Sequence, residues 1–342
     1  MNEKKTIEIA YITDSIYVLP TRVSITSLIK NSGEDRKYNI HVVGDGLKED
    51  EIKELEELSS LKNNVHVDVL KVENNYGDIY KEHQHVSKAA LLKFSLADIF
   101  NSLNRIIYLD GDTLILGDIA ELFDIDITDY YGAAVSDVPT IMDQKSNDRI
   151  GHKNYFNSGV MLLNLSKWRA DEVSVMLINE KKKEKWRLFV DQDAFNTVLG
   201  EHVKYLPLKY NCIYGETINK PIEQVAGLFH MTAEETGKQI ENPVVLHLAD
   251  KKKPWNNIGA DKIELWMKYY GKELDRDTIV LIRSYTRTQE KAMRDELDTL
   301  RTAINDLSNR IDNLSNTVAY YRDRTLYGVL AKIRRELFKR WI

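Results

Sequence analysis

The chain has 342 residues, 43% hydrophobic and 30% charged, with a formal net charge of −5. That apolar content is too high for intrinsic disorder and no apolar run is long enough to cross a bilayer, so disordered, collagenous and membrane-spanning classes are excluded. Cys212 is the only cysteine, which rules out an intrachain disulfide; with no apolar leader core behind Met1–Lys5, a reducing cytoplasm is the expected compartment.

From residue 7 to about 210, β-rich apolar runs alternate with helical patterns, which predicts an α/β fold with a mostly parallel sheet. The expected strands are Ile7–Thr13, Tyr38–Val43, Val65–Leu70, Arg105–Asp110, Gly132–Ser136, Val160–Asn164 and Val203–Leu206. Leu47–Ser60 keeps a helical period through Ile52, Leu55 and Leu58, and Ser87–Phe100 is a second helical segment with Ser87 as its N-cap. In such sheets ligands sit beyond the carboxyl ends of the strands, so polar residues just after a strand are the first places to look for chemistry.

The last part of the chain follows a different period. Met293, Leu297, Leu300, Ile304, Leu307, Ile311, Leu314 and Val318 alternate steps of four and three, a heptad pattern that predicts a self-associating coiled coil over 288–319. The set mixes Leu, Ile, Met and Val and leaves two or three strands open. Beyond it, Leu326, Val329, Leu330, Ile333, Leu337, Phe338 and Trp341 interleave with Lys332, Arg334, Arg335, Lys339 and Arg340, the composition of a basic amphipathic helix at an anionic membrane surface. Residues 321–342 carry seven basic and two acidic side chains, a local +5; residues 283–320 balance at six against six, so residues 1–282 carry −10. The expected organisation is a catalytic domain over 1–271, a linker over 272–287, the coiled coil over 288–319 and the tail over 320–342.

The sharpest local signal is Arg105-Ile-Ile-Tyr-Leu-Asp110-Gly111-Asp112. A hydrophobic strand ending in two carboxylates one residue apart lets both reach one hard cation, Mg²⁺ or Mn²⁺, shared with a substrate diphosphate. Asp-x-Asp alone is common in solvated turns. The phosphatase pattern Asp-x-Asp-x-Thr is missed, because Thr113 directly follows Asp112 and position 114 is Leu. Asp14 and Tyr17 close the first strand without the Gly-x-Gly-x-x-Gly turn of dinucleotide folds, which counts against a nicotinamide enzyme. Phe156-Asn157-Ser-Gly159 leads into a buried strand, Asp191-Gln192-Asp193 opens a helix, and His247 ends a strand ahead of Lys253-Pro-Trp255.

In this order, these motifs resemble glycosyltransferase family 8, retaining enzymes of the GT-A (nucleotide-diphospho-sugar transferase, Rossmann-like) fold, over about Ile7–Trp255. The resemblance implies transfer of glucose or galactose from a UDP-sugar to a hydroxyl of a carbohydrate, glycolipid or glycoprotein, with retention at the anomeric carbon. It implies Asp110, Asp112 and His247 as ligands of Mn²⁺ or Mg²⁺, and Lys253 on the diphosphate. Asp14 and Tyr17 match uracil-binding positions, and Gly111 lies within the metal turn. Asn157, Asp137, Asp191 and Gln192 match residues around the donor sugar. Gln192, at the β-face position, is an amide, which favours front-face displacement with Asp191 orienting the sugar. Where the family usually has a donor-binding Arg 17 residues before the first metal Asp, this chain has Lys93, which the resemblance implies as a donor-binding cation and which keeps the charge but loses the bidentate fork. Acceptor contacts are expected from loops such as Asn211–Gly237, nucleic acid is not expected as a partner, and the tail places the enzyme on the inner face of the cell membrane. An inactive scaffold working through its coiled coil and a sugar-nucleotide hydrolase are the alternatives.

Overall fold

The computed structural model describes residues 6–73, 76, 88–150, 154–183, 191–215, 217, 219–249, 252–257, 260–271 and 276–339. The chain forms two compact units, Met1–Ile279 and Val280–Ile342.

In the first unit the strands are β1 (Thr6–Asp14), β2 (Lys37–Asp45), β3 (Val65–Lys71), β4 (Arg105–Leu109), β5 (Thr113–Ile115), β6 (Gly132–Ser136), β7 (Phe156–Asn164), β8 (Val203–Tyr205), β9 (Cys212–Ile213) and β10 (Val245–His247). Seven of them form one sheet in the order β3-β2-β1-β4-β7-β6-β8. Strand β7 runs antiparallel to β4 and β6, and the remaining pairings of this sheet are parallel. The sheet is covered on both faces, which is why its central strands read as nearly continuous apolar runs rather than as alternations. Ile7, Ile9 and Tyr11 of β1 pack with Ile25, Leu28 and Ile29 of the helix Val18–Asn31. Ala10 and Ile12 join Phe94, Trp168 and Phe195 on the opposite face. Each such side chain, fully buried, contributes about 1.5–3 kcal/mol relative to exposure.

The expected helix Ser87–Phe100 is tighter than its period implied: Lys88–Ser95 is a 3-10 helix, followed by a single α turn, Leu96–Ile99. Ser87, its expected cap, lies outside the described residues. The strand expected at Val160–Asn164 begins four residues earlier, at Phe156, which brings Asn157 into the sheet. Two-residue and three-residue strands build a second sheet, β5-β10-β9, in which β10 is antiparallel to β5 and parallel to β9.

A single helix, Arg276–Lys339, runs through the second unit. The expected linker 272–287 is helical from Arg276, and the helix passes residues 319 and 320 unbroken. Heptad residues Ile304, Leu307, Ile311, Leu314 and Val318 are 55–66% exposed, as are Leu326, Val329, Leu330, Ile333 and Leu337 at 49–62%. Trp341 lies outside the described residues.

Candidate active site

Four elements converge on one edge of the large sheet. Strands β1, β4 and β6 point the same way, so their carboxyl ends bring Asp14, Asp110 and Asp137 to that edge, and antiparallel β7 starts there with Asn157.

The turn after β4 is fixed by its own backbone: Thr113 donates from its amide and hydroxyl to the Asp110 carbonyl, at 3.2 and 2.7 Å. The Thr113 hydroxyl also meets Ser24 at 3.0 Å, and Ser24 meets Tyr11 at 3.1 Å, which ties the turn to the helix Val18–Asn31. Gly111 is required by that contact, since a Cβ there would stand 2.4 Å from the Thr21 hydroxyl. Its part in the site is therefore a close backbone approach.

Asp110, Asp112 and His247 come together as the sequence led one to expect. One ligand atom from each lies within 4.8 Å of the others. His247 faces Thr113 across the β5–β10 pair, and the Leu248 amide donates to the Asp112 carbonyl at 2.9 Å, so main-chain bonds hold the two ligand positions in register. Two carboxylates and an imidazole suit a hard divalent cation with room for further oxygen ligands. The space is reserved by Gly159, where a Cβ would lie 2.4 Å from His247 Cε1 and 2.7 Å from Asp110 Oδ2.

Burial and charge pairing set the protonation of Asp112 and Tyr108. Asp112 is partly buried, which alone would raise its pKa. The Lys253 ammonium at 2.7 Å and the His247 ring at 3.1 Å outweigh burial and hold the carboxyl well below its usual range. Burial and the neighbouring Asp110 keep the Tyr108 phenol protonated far above its ordinary range, so Tyr108 donates to Asp110 at 2.6 Å.

Lys93 is 3% exposed and bridges Asp110 at 3.0 Å and Asp191 at 2.7 Å. Burial works against its charge, but the two carboxylates win and raise its pKa. Lys93 thus joins the metal turn to the residues matched to the donor sugar.

Those residues form one hydrogen-bonded set. Gln192, the first residue of the helix Gln192–Leu199, donates from Nε2 to Asp137 Oδ2 at 2.9 Å. Its Oε1 accepts from the Ser158 amide and from Asn157 Nδ2, both at 3.1 Å. Asp191 accepts from Lys93 and, at 3.0 Å, from the Ser158 hydroxyl. Asp137 also caps the short helix Val138–Met142 through the Thr140 amide at 2.9 Å.

At the far end, Asp14 Oδ1 accepts from the amides of Ile16 and Tyr17, each at 3.0 Å, which fixes the turn into the first helix. Tyr17 stands edge-on to Trp255 with ring centroids 5.9 Å apart, and the Lys253 ammonium lies 5.7 Å from the Trp255 ring.

Asn211 belongs to the site, although sequence reasoning placed it at the start of an acceptor loop. It is 1% exposed. Its Oδ1 sits 3.0 Å from His247 Nδ1, and its Nδ2 donates to Asn157 Oδ1 at 2.9 Å. With Nδ1 engaged there, Nε2 is the nitrogen turned toward Asp112. The available signal was an Asn immediately before the apolar pair Cys212–Ile213, which is too short to be read as a strand.

The sequence profile of glycosyl transferase family 8 matches residues 8–259. General stress protein A of Bacillus subtilis (strain 168) is 30% identical over 263 residues, spanning 75% of this chain and 90% of that protein. A lipopolysaccharide 1,2-glucosyltransferase of Escherichia coli is 28% identical over 265 residues, 75% of each chain. Among solved structures, the galactosyltransferase LgtC in complex with donor and acceptor sugar analogs superposes with a TM-score of 0.63 at 21% identity, covering 79% of this chain and 98% of LgtC. The bifunctional glycosyltransferase WbbM gives 0.67 at 18% identity, covering 82% of this chain and 52% of WbbM. These likenesses identify the fold as GT-A.

Proposed function

This chain belongs to glycosyl transferase family 8, and from that premise we propose that it moves glucose or galactose from a UDP-sugar to a hydroxyl of a carbohydrate, glycolipid or glycoprotein acceptor, with retention at the anomeric carbon. The observation that carries the reading is the joining of two sets of groups through Lys93 and Asn211. Asp110, Asp112 and His247 make a cation site, and Asp137, Asn157, Asp191 and Gln192 line the neighbouring edge.

Asp110, Asp112 and His247 would hold Mn²⁺ or Mg²⁺ in this reading, and the bound cation would supply positive charge against that of a departing UDP. Lys253, 2.7 Å from Asp112, adds a positive charge at this edge. Asp14 and Tyr17 flank the place for uracil, with Trp255 bracing the Tyr17 ring. Gln192 is neutral and has both ends of its amide engaged, so it orients the sugar instead of attacking it. Asp191, pinned by Lys93 and Ser158, supplies a fixed negative charge beside developing positive charge on the sugar. That arrangement supports front-face displacement without a covalent intermediate.

The appendage completes the reading. Residues 288–319 associate with further copies through the heptad stripe, exposed at Ile304, Leu307, Ile311, Leu314 and Val318, and 320–342 holds the enzyme at an anionic membrane surface on the cytoplasmic side. Among the described residues, no helix is long and apolar enough to cross a membrane.

A panel of UDP-sugars assayed for UDP release, with and without Mn²⁺ and with glycan acceptors, tests the catalytic reading. Metal-dependent release from UDP-glucose or UDP-galactose is expected. Failure of every UDP-sugar with acceptors present would overturn it. Co-sedimentation with anionic vesicles, sensitive to salt and to Arg334→Glu/Arg335→Glu, tests the tail.

A further inference from the structure

Sorting the heptad residues by position yields more than their composition does. A step of three separates an a position from the following d, so Leu297, Ile304, Ile311 and Val318 are a residues, and Met293, Leu300, Leu307 and Leu314 are d residues. From Leu300 onward the seam is β-branched at every a and Leu at every d, the combination that favours two parallel strands over three or four. Charge adds a direction. Glu296 occupies a g position and Arg301 the e position five residues later, the pair that meets across a parallel, in-register seam.

The same frame marks where the seam stops. After Val318 the a and d positions are Tyr321, Thr325, Gly328, Lys332, Arg335 and Lys339. A seam cannot bury three cations, and Gly328 weakens the helix interior at the changeover. The apolar residues of the tail move to other heptad positions: Leu326 and Ile333 at b, Val329 at e, Leu330 and Leu337 at f. Throughout, the helix Arg276–Lys339 is continuous, and Ile304, Leu307, Ile311, Leu314 and Val318 of the seam, like Leu326, Val329, Leu330, Ile333 and Leu337 of the tail, are about half exposed or more.

We propose that two copies of this chain pair through a parallel, in-register coiled coil that closes at Val318, so that both basic amphipathic segments leave the same end and meet one surface together. The proposal rests on the self-association reading above and adds strand number and direction to it. A parallel pair makes the tail bivalent. Two linked weak sites reach an avidity roughly 10²–10⁴-fold above either alone when both can engage one surface.

The full-length chain tests this. Light scattering is expected to give twice the 39.6 kDa chain mass. Mild oxidation of Leu300→Cys and of Leu314→Cys, as two separate proteins, is expected to give covalent dimers in both, because only a parallel, in-register arrangement brings both positions opposite themselves, while the mass fixes the strand number. The unsubstituted protein, with Cys212 buried, is the unlinked control. Ile304→Asp/Ile311→Asp is expected to give monomers that bind phosphatidylglycerol vesicles on the order of 10²-fold more weakly with every basic residue retained. A trimer, or self-linking at only one of the two cysteine positions, would overturn the parallel pair and leave self-association standing. A monomeric full-length protein would overturn both. Unchanged vesicle binding by the monomeric variant would overturn bivalency.

Discussion

The Lys93 ammonium lies 2.7 Å from the Asp191 carboxylate, sealed beneath the site and shared with Asp110 at 3.0 Å. Removing one partner of a buried ion pair leaves the other charge uncompensated, at about 3–5 kcal/mol. Lys93→Met is therefore expected to lower stability by about that amount in denaturant unfolding. Lys93→Met/Asp191→Asn should recover a large part of it, because the second substitution removes one of the stranded charges. Equal instability of the single and double variants would contradict the pairing.

Asn211 orients His247, and outer partners of a ligating imidazole typically change metal affinity about 10–100-fold. Asn211→Ala should weaken Mn²⁺ binding by that factor, measured from the free Mn²⁺ signal in electron paramagnetic resonance. Its effect on thermal unfolding without metal should be much smaller than that of Lys93→Met.

Gly159→Ala should abolish stabilisation by Mn²⁺ with UDP in a thermal-shift titration, since the added methyl would occupy the gap between His247 and Asp110. Overpacking of this kind costs about 1–3 kcal/mol, so the protein is expected to remain folded.

His41 supplies a pH dependence well away from this edge. Burial lowers its pKa, but Asp68 at 2.7 Å and Glu8 at 2.8 Å outweigh burial and raise it from 6.5 to about 9. A folded-state value above the unfolded one means that the folded chain holds the proton more tightly. The stabilisation is thus fully present below about 6.5 and is lost as pH rises through 9. The difference in melting temperature between the native protein and His41→Asn should shrink across that window. A difference independent of pH would remove the charged imidazole from the account.

Much of this site was legible because its residues end or follow strands or open a helix: Asp14 at the end of β1, Asp110 and Asp112 after β4, His247 at the end of β10, Gln192 at a helix start. What the sequence hid depends on contacts between distant segments. Strands β5, β9 and β10 have two or three residues each, too few for a period, yet they set the spacing of two ligands. Lys93 looked like a donor-gripping cation on a helix; only the packing of its 3-10 turn beneath β4 turns it into a bridge between carboxylates. Ser158 and Tyr108 carried no signal, because a hydroxyl inside a buried strand reads as ordinary core until its partner is seen.

The backbone pairing of Asp112 with the strand that carries His247 also orders events during synthesis. The two residues are 135 positions apart, and β10 must pair with β5 before the third ligand arrives. At about 5–20 residues per second, that interval is roughly 7–27 s of translation. A chain interrupted before β10 carries both carboxylates of the turn and a share of the large sheet, but no imidazole to finish the constellation. Synthesis thus brings Asp110, Asp112 and His247 together only near the end of this domain.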